Sequence, residues 1–201
     1  MAKMEKIEEF KGILKVLNSG LRIGGSKEGT GIGETDNPII RHPITRTPYV
    51  LGSSIKGKIR CLLESTYSKI SQDNGLPCSC GTCLVCQLFG CHDSKKLQSP
   101  TRLVFRDCQP TEETLKKWQE SGADSELKTE VLIDRKKGTA YGRVGSRTTE
   151  RIPAFCDFEF AFSIRILGGT LLKNTTILSR KDSSYRKSTI SADTALVVTE
   201  R

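Results

Sequence analysis

Four cysteines stand within nine residues, in the pattern Cys78-x-Cys80-x2-Cys83-x2-Cys86. Thiolates at such spacing are metal ligands. Zinc takes four soft donors in a tetrahedron at about 2.3 Å, and each Cys-x2-Cys turn offers two sulfurs to one ion. Gly81 relaxes the backbone between the ligands. With every coordination position filled by protein, such a zinc organises a loop and catalyses nothing. The rival is an iron–sulfur centre on Cys80-x2-Cys83-x2-Cys86-x4-Cys91. That run misses the bacterial Cys-x2-Cys-x2-Cys-x3-Cys-Pro pattern by one residue and has His92 in place of the proline. Four free thiols are a third reading, disfavoured because exposed clustered thiols oxidise. The spacing favours structural zinc on Cys78, Cys80, Cys83 and Cys86. Cys91 and His92 then lie outside the coordination sphere, and Leu88 and Phe89 anchor the loop to the core.

Other candidate chemistry is thinner. Gly52-Ser-Ser-Ile-Lys56-Gly57-Lys58 fits the Gly-x4-Gly-Lys frame of a phosphate loop, but Ile59 replaces the magnesium-binding Ser or Thr. A helix N-terminus bearing Lys56, Lys58 and Arg60 still suits a backbone phosphate, and a solvated basic face is the alternative. Thr35-Asp36-Asn37-Pro38 follows a glycine-rich loop, with Arg41 and His42 close by. By residue type alone Asp-Asn-Pro is turn chemistry. His42 and His92 form no acid–base pair that spacing supports.

The elements that must position these groups are partly legible. Ile55, Ile59, Leu62, Leu63 and Ile70 recur at the helical period, which predicts a helix over 54–70 with Ser53 or Ser54 as its N-cap. Strict alternation from Cys156 to Ile166 predicts a strand with one covered face. Further strands are expected at Phe10–Leu17 and Thr101–Asp107, and a hairpin at 128–144 turning at Arg135–Gly138. A short helix should run from Thr111 through Trp118, with acidic residues in its first turn where the dipole favours them. Residues 24–38 read as a mobile or ligand-facing loop. Of the 22 residues Thr170–Ser191, nine are Ser or Thr, without a clear period. Interspersed strands and helices indicate an α+β fold.

Composition narrows the partner. The 201 residues carry 32 Lys plus Arg against 23 Asp plus Glu, a net charge of +9, which points to a polyanion and to nucleic acid first. No apolar stretch approaches the ~18 residues a membrane span needs. Charges occupy the N-terminus where a signal peptide has its apolar segment, so a cytoplasmic location and no membrane partner are expected. Aromatic residues are only 6%, and the RRM signature Lys/Arg-Gly-Phe/Tyr-Gly/Ala-Phe is absent. Recognition should therefore proceed by sequence-blind backbone clamping rather than base stacking.

Several motifs occur in a fixed order: GLRIGG (20–25), GETDNPIIRHPITRTPYVLGSSIKGKIRCLLE (33–64), CxxCQLFG (83–90), PTRLVFRD (100–107), LKTEVLIDRKKGTA (127–140) and TERIPAFCDFEF (149–160). Together they resemble the repeated backbone subunit of type III CRISPR effector complexes, within the RAMP superfamily. The resemblance implies a ferredoxin-like, RRM-like βαββαβ palm with a zinc-binding insertion and a protruding thumb hairpin. Residues 1–70 would form the first half of the palm, with catalytic loop 24–38. Residues 71–92 would be the zinc-binding insertion, 93–123 a palm strand and short helix, 124–144 the thumb and 145–167 a palm strand. Residues 168–201 would be a divergent polar tail in which the end of the family core is missing or altered. The implied activity is an endoribonuclease dependent on Mg2+ or another divalent cation, cutting target RNA at regular intervals by 2′-OH attack, with Asp36 as the catalytic residue. The implied RNA-binding set is Arg22, Ser53, Ser54, Lys56, Lys58, Arg60, Arg135 and Arg143. The implied partners are a CRISPR guide RNA, complementary target RNA, further copies of the chain and other effector-complex subunits.

Overall fold

The computed structural model describes residues 3–24, 37–67, 75–93, 95–96, 100–142, 146–167, 188–189 and 196–200. A five-stranded sheet is built from β1 (Met4–Val16), β2 (Leu103–Phe105), β7 (Asp157–Leu167), β8 (Ser188–Thr189) and β9 (Leu196–Glu200), in the order β2-β7-β1-β9-β8. All its neighbours are antiparallel. Taking β1, β2, β7 and β9 as first to fourth gives the spatial order 2-3-1-4, the strand arrangement of a ferredoxin-like βαββαβ unit. Helix α1 (Gly52–Thr66) is the crossover between the first two strands. Between β7 and β9, residues 168–187 lie outside the described residues. Strand β9 lies within the stretch expected to be a divergent polar tail with the end of the family core missing or altered. Leu-Val-Val-Thr-Glu is an extended-chain composition, and it pairs with β1 from Gly12↔Glu200 to Val16↔Leu196.

Alternation in β7 sets the core. Phe158, Phe160 and Ile164 are buried, and Phe162 stacks on Phe10 of β1 at 4.9 Å and on Phe105 of β2 at 5.4 Å. Ile55 and Ile59 of α1 pack on this face with Leu14, Val16 and Val50. Beside them α2 (Leu84–Phe89) contributes Val85 and Phe89, which pack against Leu103 and Ile164. Helix α3 (Glu112–Ser121) buries Trp118 against Phe158, while Thr111 accepts the Thr114 N–H as the N-cap. The fully buried Thr114 hydroxyl ties α3 to the sheet, donating to Asp157 O at 2.9 Å and accepting from Asp157 N at 2.8 Å.

Several boundaries differ from the sequence expectation: the strand expected at Thr101–Asp107 is only Leu103–Phe105, and the helix expected from Thr111 through Trp118 runs from Glu112 to Ser121. The helix expected at 54–70 starts at Gly52, and Leu51 is its N-cap without a side-chain bond, so neither Ser53 nor Ser54 caps it. The uncapped amide is met from outside the helix: Asp107, just past β2, accepts the Gly52 N–H at 2.8 Å. Gly52 is required there, because a Cβ would stand 2.5 Å from Arg106 O. Residues 68–70 lie outside the described residues. Strand β1 begins at Met4 rather than Phe10, since the long β7 offers partners as far as Leu167. Its first residues are exposed and charged, so no apolar alternation marks them.

The hairpin turns at Arg135–Gly138 as its residues indicate. Gly138 N–H closes on Asp134 O at 2.8 Å, and Asp134 accepts the Lys136 amide at 2.9 Å. Its outer rung pairs β4 (Ile133–Asp134) with β5 (Thr139–Ala140). The longer ladder joins β3 (Glu126–Val131) to β6 (Ser146–Arg151), so the hairpin extends seven residues beyond the expected end at 144. Cross-strand pairing holds that extension: Arg151 donates to Glu126 at 2.6 Å in a directly opposed pair.

Candidate functional site

The cysteine cluster assembles as its spacing requires. Cys78 and Cys83 Sγ lie 3.8 Å apart, Cys80 and Cys86 Sγ lie 4.0 Å apart, and all four sulfurs fall within 4.8 Å of one another. A tetrahedron with metal–sulfur bonds of about 2.3 Å has sulfur–sulfur edges of about 3.8 Å, so the geometry fits one ion. Cys91 is outside the set. Cys83 caps α2 and accepts from Cys86 N, while Cys83 N–H points at Cys80 Sγ. That amide, with Thr82, brings the Cys80 thiol down to about 5, whereas burial pushes the Cys86 thiol well above its usual range. A coordinated ion would compensate the buried Cys86 thiolate. Gly81 adopts φ +73°, where a Cβ would meet Lys96 O at 2.1 Å, so this turn between ligands needs glycine. Phe89 is buried in the core, as the loop-anchoring expectation requires.

The loop is tied to α1 by an ion pair that hydrophobic periodicity does not announce. Glu64 is 3% exposed. Its Oε1 accepts from Arg60 Nε at 2.8 Å and from Cys78 N at 3.1 Å, and Arg60 Nη2 donates to Cys78 O at 2.8 Å. The i, i+4 spacing of Arg60 and Glu64 was the available signal.

Ser53, Ser54 and Lys58 are exposed along α1 and Lys56 is half-buried. Burial, then the charges of Arg60 and Arg165, hold the Lys56 amine below the usual lysine range. Arg165, on β7, was hidden by its place in an apolar alternation. Among the described residues neither Lys56 nor Arg165 has a carboxylate partner. The frame of the phosphate loop lies inside α1, with Gly57 in its second turn, so no nucleotide loop forms. Arg22 is exposed and its charge acts on Glu130 of β3, while Arg135 is exposed in the hairpin turn. The set therefore divides between the α1 face and the hairpin. Asp36 and Arg143 lie outside the described residues.

The segment that follows Asp36 is pinned to the base of the hairpin. Asn37 bridges to Thr149, and Asn37 O accepts from Glu150 N at 3.1 Å. Glu150 in turn accepts from Ile39 N at 2.9 Å, Arg41 Nη2 at 2.9 Å and Ser125 Oγ at 2.6 Å. Arg41 spans both sides, with Asp124 as bidentate partner. That hydrogen bond to Asp124, supported by Glu150, raises the Arg41 pKa against the cost of burial. Burial alone would raise the Glu150 carboxyl, but bonds from Ser125, Ile39 and Arg41 outweigh it and hold the group below the usual range. His42 has a local job, its Nδ1 accepting the Ile44 and Thr45 amides at 3.3 Å.

Comparison with known proteins agrees with this architecture. The RAMP superfamily profile matches residues 13–170. The chain is 43% identical over 157 residues to the CRISPR system Cms endoribonuclease Csm3 of Methanothermobacter thermautotrophicus, covering 71% of this chain and 62% of that protein. It is 44% identical over 154 residues to the protein of that name from Methanocaldococcus jannaschii, covering 75% and 60%. The chain thus spans about three fifths of the length of these curated relatives. In the cryo-EM structure of a Type III-B Cmr-beta complex bound to cognate target RNA, one chain shares the fold with a TM-score of 0.59. It is 11% identical, and the match covers 96% of both chains.

Proposed function

The chain belongs to the RAMP superfamily, and from that membership we propose that it is a guide-RNA-binding backbone subunit of a type III CRISPR effector complex that cuts complementary target RNA. The observation that carries this reading is the 43% identity over 157 residues to a protein named as an endoribonuclease, and the family match over residues 13–170 takes in the α1 face, the cysteine loop and the hairpin. Stacked copies of the chain and other effector-complex subunits are its partners, and the positive face of α1 runs along the guide. Ser53, Ser54, Lys56 and Lys58, with Arg22 and Arg135 on the hairpin side and with Arg143, contact phosphates and sugars without reading bases.

Cleavage is assigned to Asp36. The ribose 2′-oxygen attacks the adjacent phosphorus and the P–O5′ bond breaks. The 2′-hydroxyl proton is lost to Asp36 or solvent, and the departing 5′-oxygen gains one. The products are a 2′,3′-cyclic phosphate and a 5′-hydroxyl. An aspartate with a pKa near ~3.9 is a weak base at neutral pH, so geometry supplies most of its effect. The anchorage of Asn37, Ile39 and Arg41 to Glu150, immediately after Asp36, supports a fixed exit from that loop. Mg2+ or another divalent cation is the proposed cofactor of the cut. The cysteine centre holds a structural zinc, whose contribution is cross-linking the loop.

The test is an assembled complex with Asp36→Ala, given guide-complementary RNA with and without Mg2+. Loss of the regularly spaced cuts with guide binding intact supports the assignment. Unchanged cutting removes Asp36 from the mechanism, and a wild-type complex that binds target without cutting makes the subunit a scaffold.

A further inference from the structure

Of the four cysteines, Cys78 stands furthest from α2 in sequence, and that helix reaches it through Cys86 Sγ, which donates to Cys78 O at 3.2 Å. Cys83 caps that helix, Cys86 lies in it, and Cys80 is fixed by the Cys83 amide. Cys78 comes from the irregular stretch 75–80. Its peptide groups are also gripped by α1, the amide by Glu64 Oε1 at 3.1 Å and the carbonyl by Arg60 Nη2 at 2.8 Å. The two side chains are joined at 2.8 Å and are 15% and 3% exposed. A carboxylate that buried is tolerated only with a cation and donors around it, so each member depends on the other two.

We propose that Arg60 and Glu64 are positioning residues of the metal centre, placing Cys78 as its fourth ligand and joining the loop to the helix that presents Lys56. The inference rests on the reading of the cysteines as a metal centre, and it reassigns Arg60 from RNA contact to metal-loop support. Outer residues that orient metal ligands are worth about 10- to 100-fold in metal affinity when removed. Arg60 spends Nε and Nη2 on Glu64 and Cys78, so it contributes little to a phosphate.

The experiment uses the full chain loaded with zinc and a chromophoric chelator as competitor. Arg60→Ala and Glu64→Gln should lose zinc 10- to 100-fold more readily than wild type, while the exposed Lys116→Ala should not. Glu64→Gln preserves side-chain volume, which keeps the comparison sound if Arg60→Ala folds poorly, and far-UV circular dichroism checks each variant. With saturating zinc, Arg60→Ala should leave the salt dependence of RNA binding as in wild type. Wild-type zinc affinity in both folded variants would overturn the proposal. So would a fall of about 0.7 in the salt slope for Arg60→Ala, the signature of one lost single-strand phosphate contact. A wild-type chain that takes up no zinc would remove the metal-centre reading itself, and this inference with it.

Discussion

Replacing Glu150 by Ala should loosen the junction between the hairpin and the segment after Asp36, by an amount the structure lets us work out. The carboxylate accepts three hydrogen bonds, from Ile39 N, Arg41 Nη2 and Ser125 Oγ. Its side chain is 14% exposed against 31% for Arg41. The Arg41 share is small, because Arg41 keeps its bidentate grip on Asp124 and water can reach it; we assign that pair under ~1 kcal/mol. The Ile39 amide and Ser125 hydroxyl lose their acceptor at a part-buried site, at roughly 1 kcal/mol or more each. The sum is about 2–4 kcal/mol, which for a chain of this size lowers the thermal midpoint by roughly 5–12 °C. Thermal melts read it directly, and exchange of the Ile39 amide should accelerate with it. The pH dependence follows from the depressed folded pKa of Glu150. Stability from such a group is fully present above the unfolded value near ~4.3 and is lost as pH falls through the folded one. Wild type and Glu150→Ala should therefore differ fully at neutral pH and converge as pH falls through the depressed folded value. A variant melting within about 1 °C of wild type at pH 7 would refute the reasoning.

Gly52→Ala adds a better helix former yet should destabilise by about 1–3 kcal/mol, because the new Cβ meets Arg106 O at 2.5 Å; a melt at or above wild type would contradict this. Asp107→Ala removes the acceptor that meets the Gly52 amide and should cost about 1 kcal/mol in the same assay. Lys56→Ala with Lys58→Ala should weaken guide RNA binding equally for all sequences and reduce the salt slope by about 1.4, measured by titration at several salt concentrations. Zinc chelation should raise hydrogen exchange in residues 75–93 before it does so in β1 or β7, and simultaneous loosening of all three would count against a local metal role.

How much of this was legible depends on the range of the interaction. The β7 alternation, the α1 stripe, the Arg135–Gly138 turn and the cysteine spacing are local patterns, and each has its counterpart in the structure. What the residues hid was pairing across distance. Asp107 supplies the donor's partner for Gly52, so two promising serines are left facing solvent. Glu150 gathers groups from two distant segments, 39–41 and Ser125, and no window of sequence contains them all. Arg60 looked like a free cation until the burial of Glu64 and the path of Cys78 were known. Strand β1 was underestimated because its outer half is held by its ladder and not by burial.

The central place of β1 bears on how the chain is made as well as how it stands. Strand β1 leaves the ribosome long before its partners β7 and β9, Gly12 facing both Phe160 and Glu200. Until they arrive, both of its long sides expose unpaired backbone, a ready template for a neighbouring nascent chain. Glu5, Lys6, Glu8, Glu9, Lys11 and Lys15 stud that strand. Charges so spaced act as gatekeepers, opposing edge-to-edge association during a long wait. The hydrophilic start that concealed the strand from periodicity is thus a safeguard for a sheet that can close only after β7 and β9 are made.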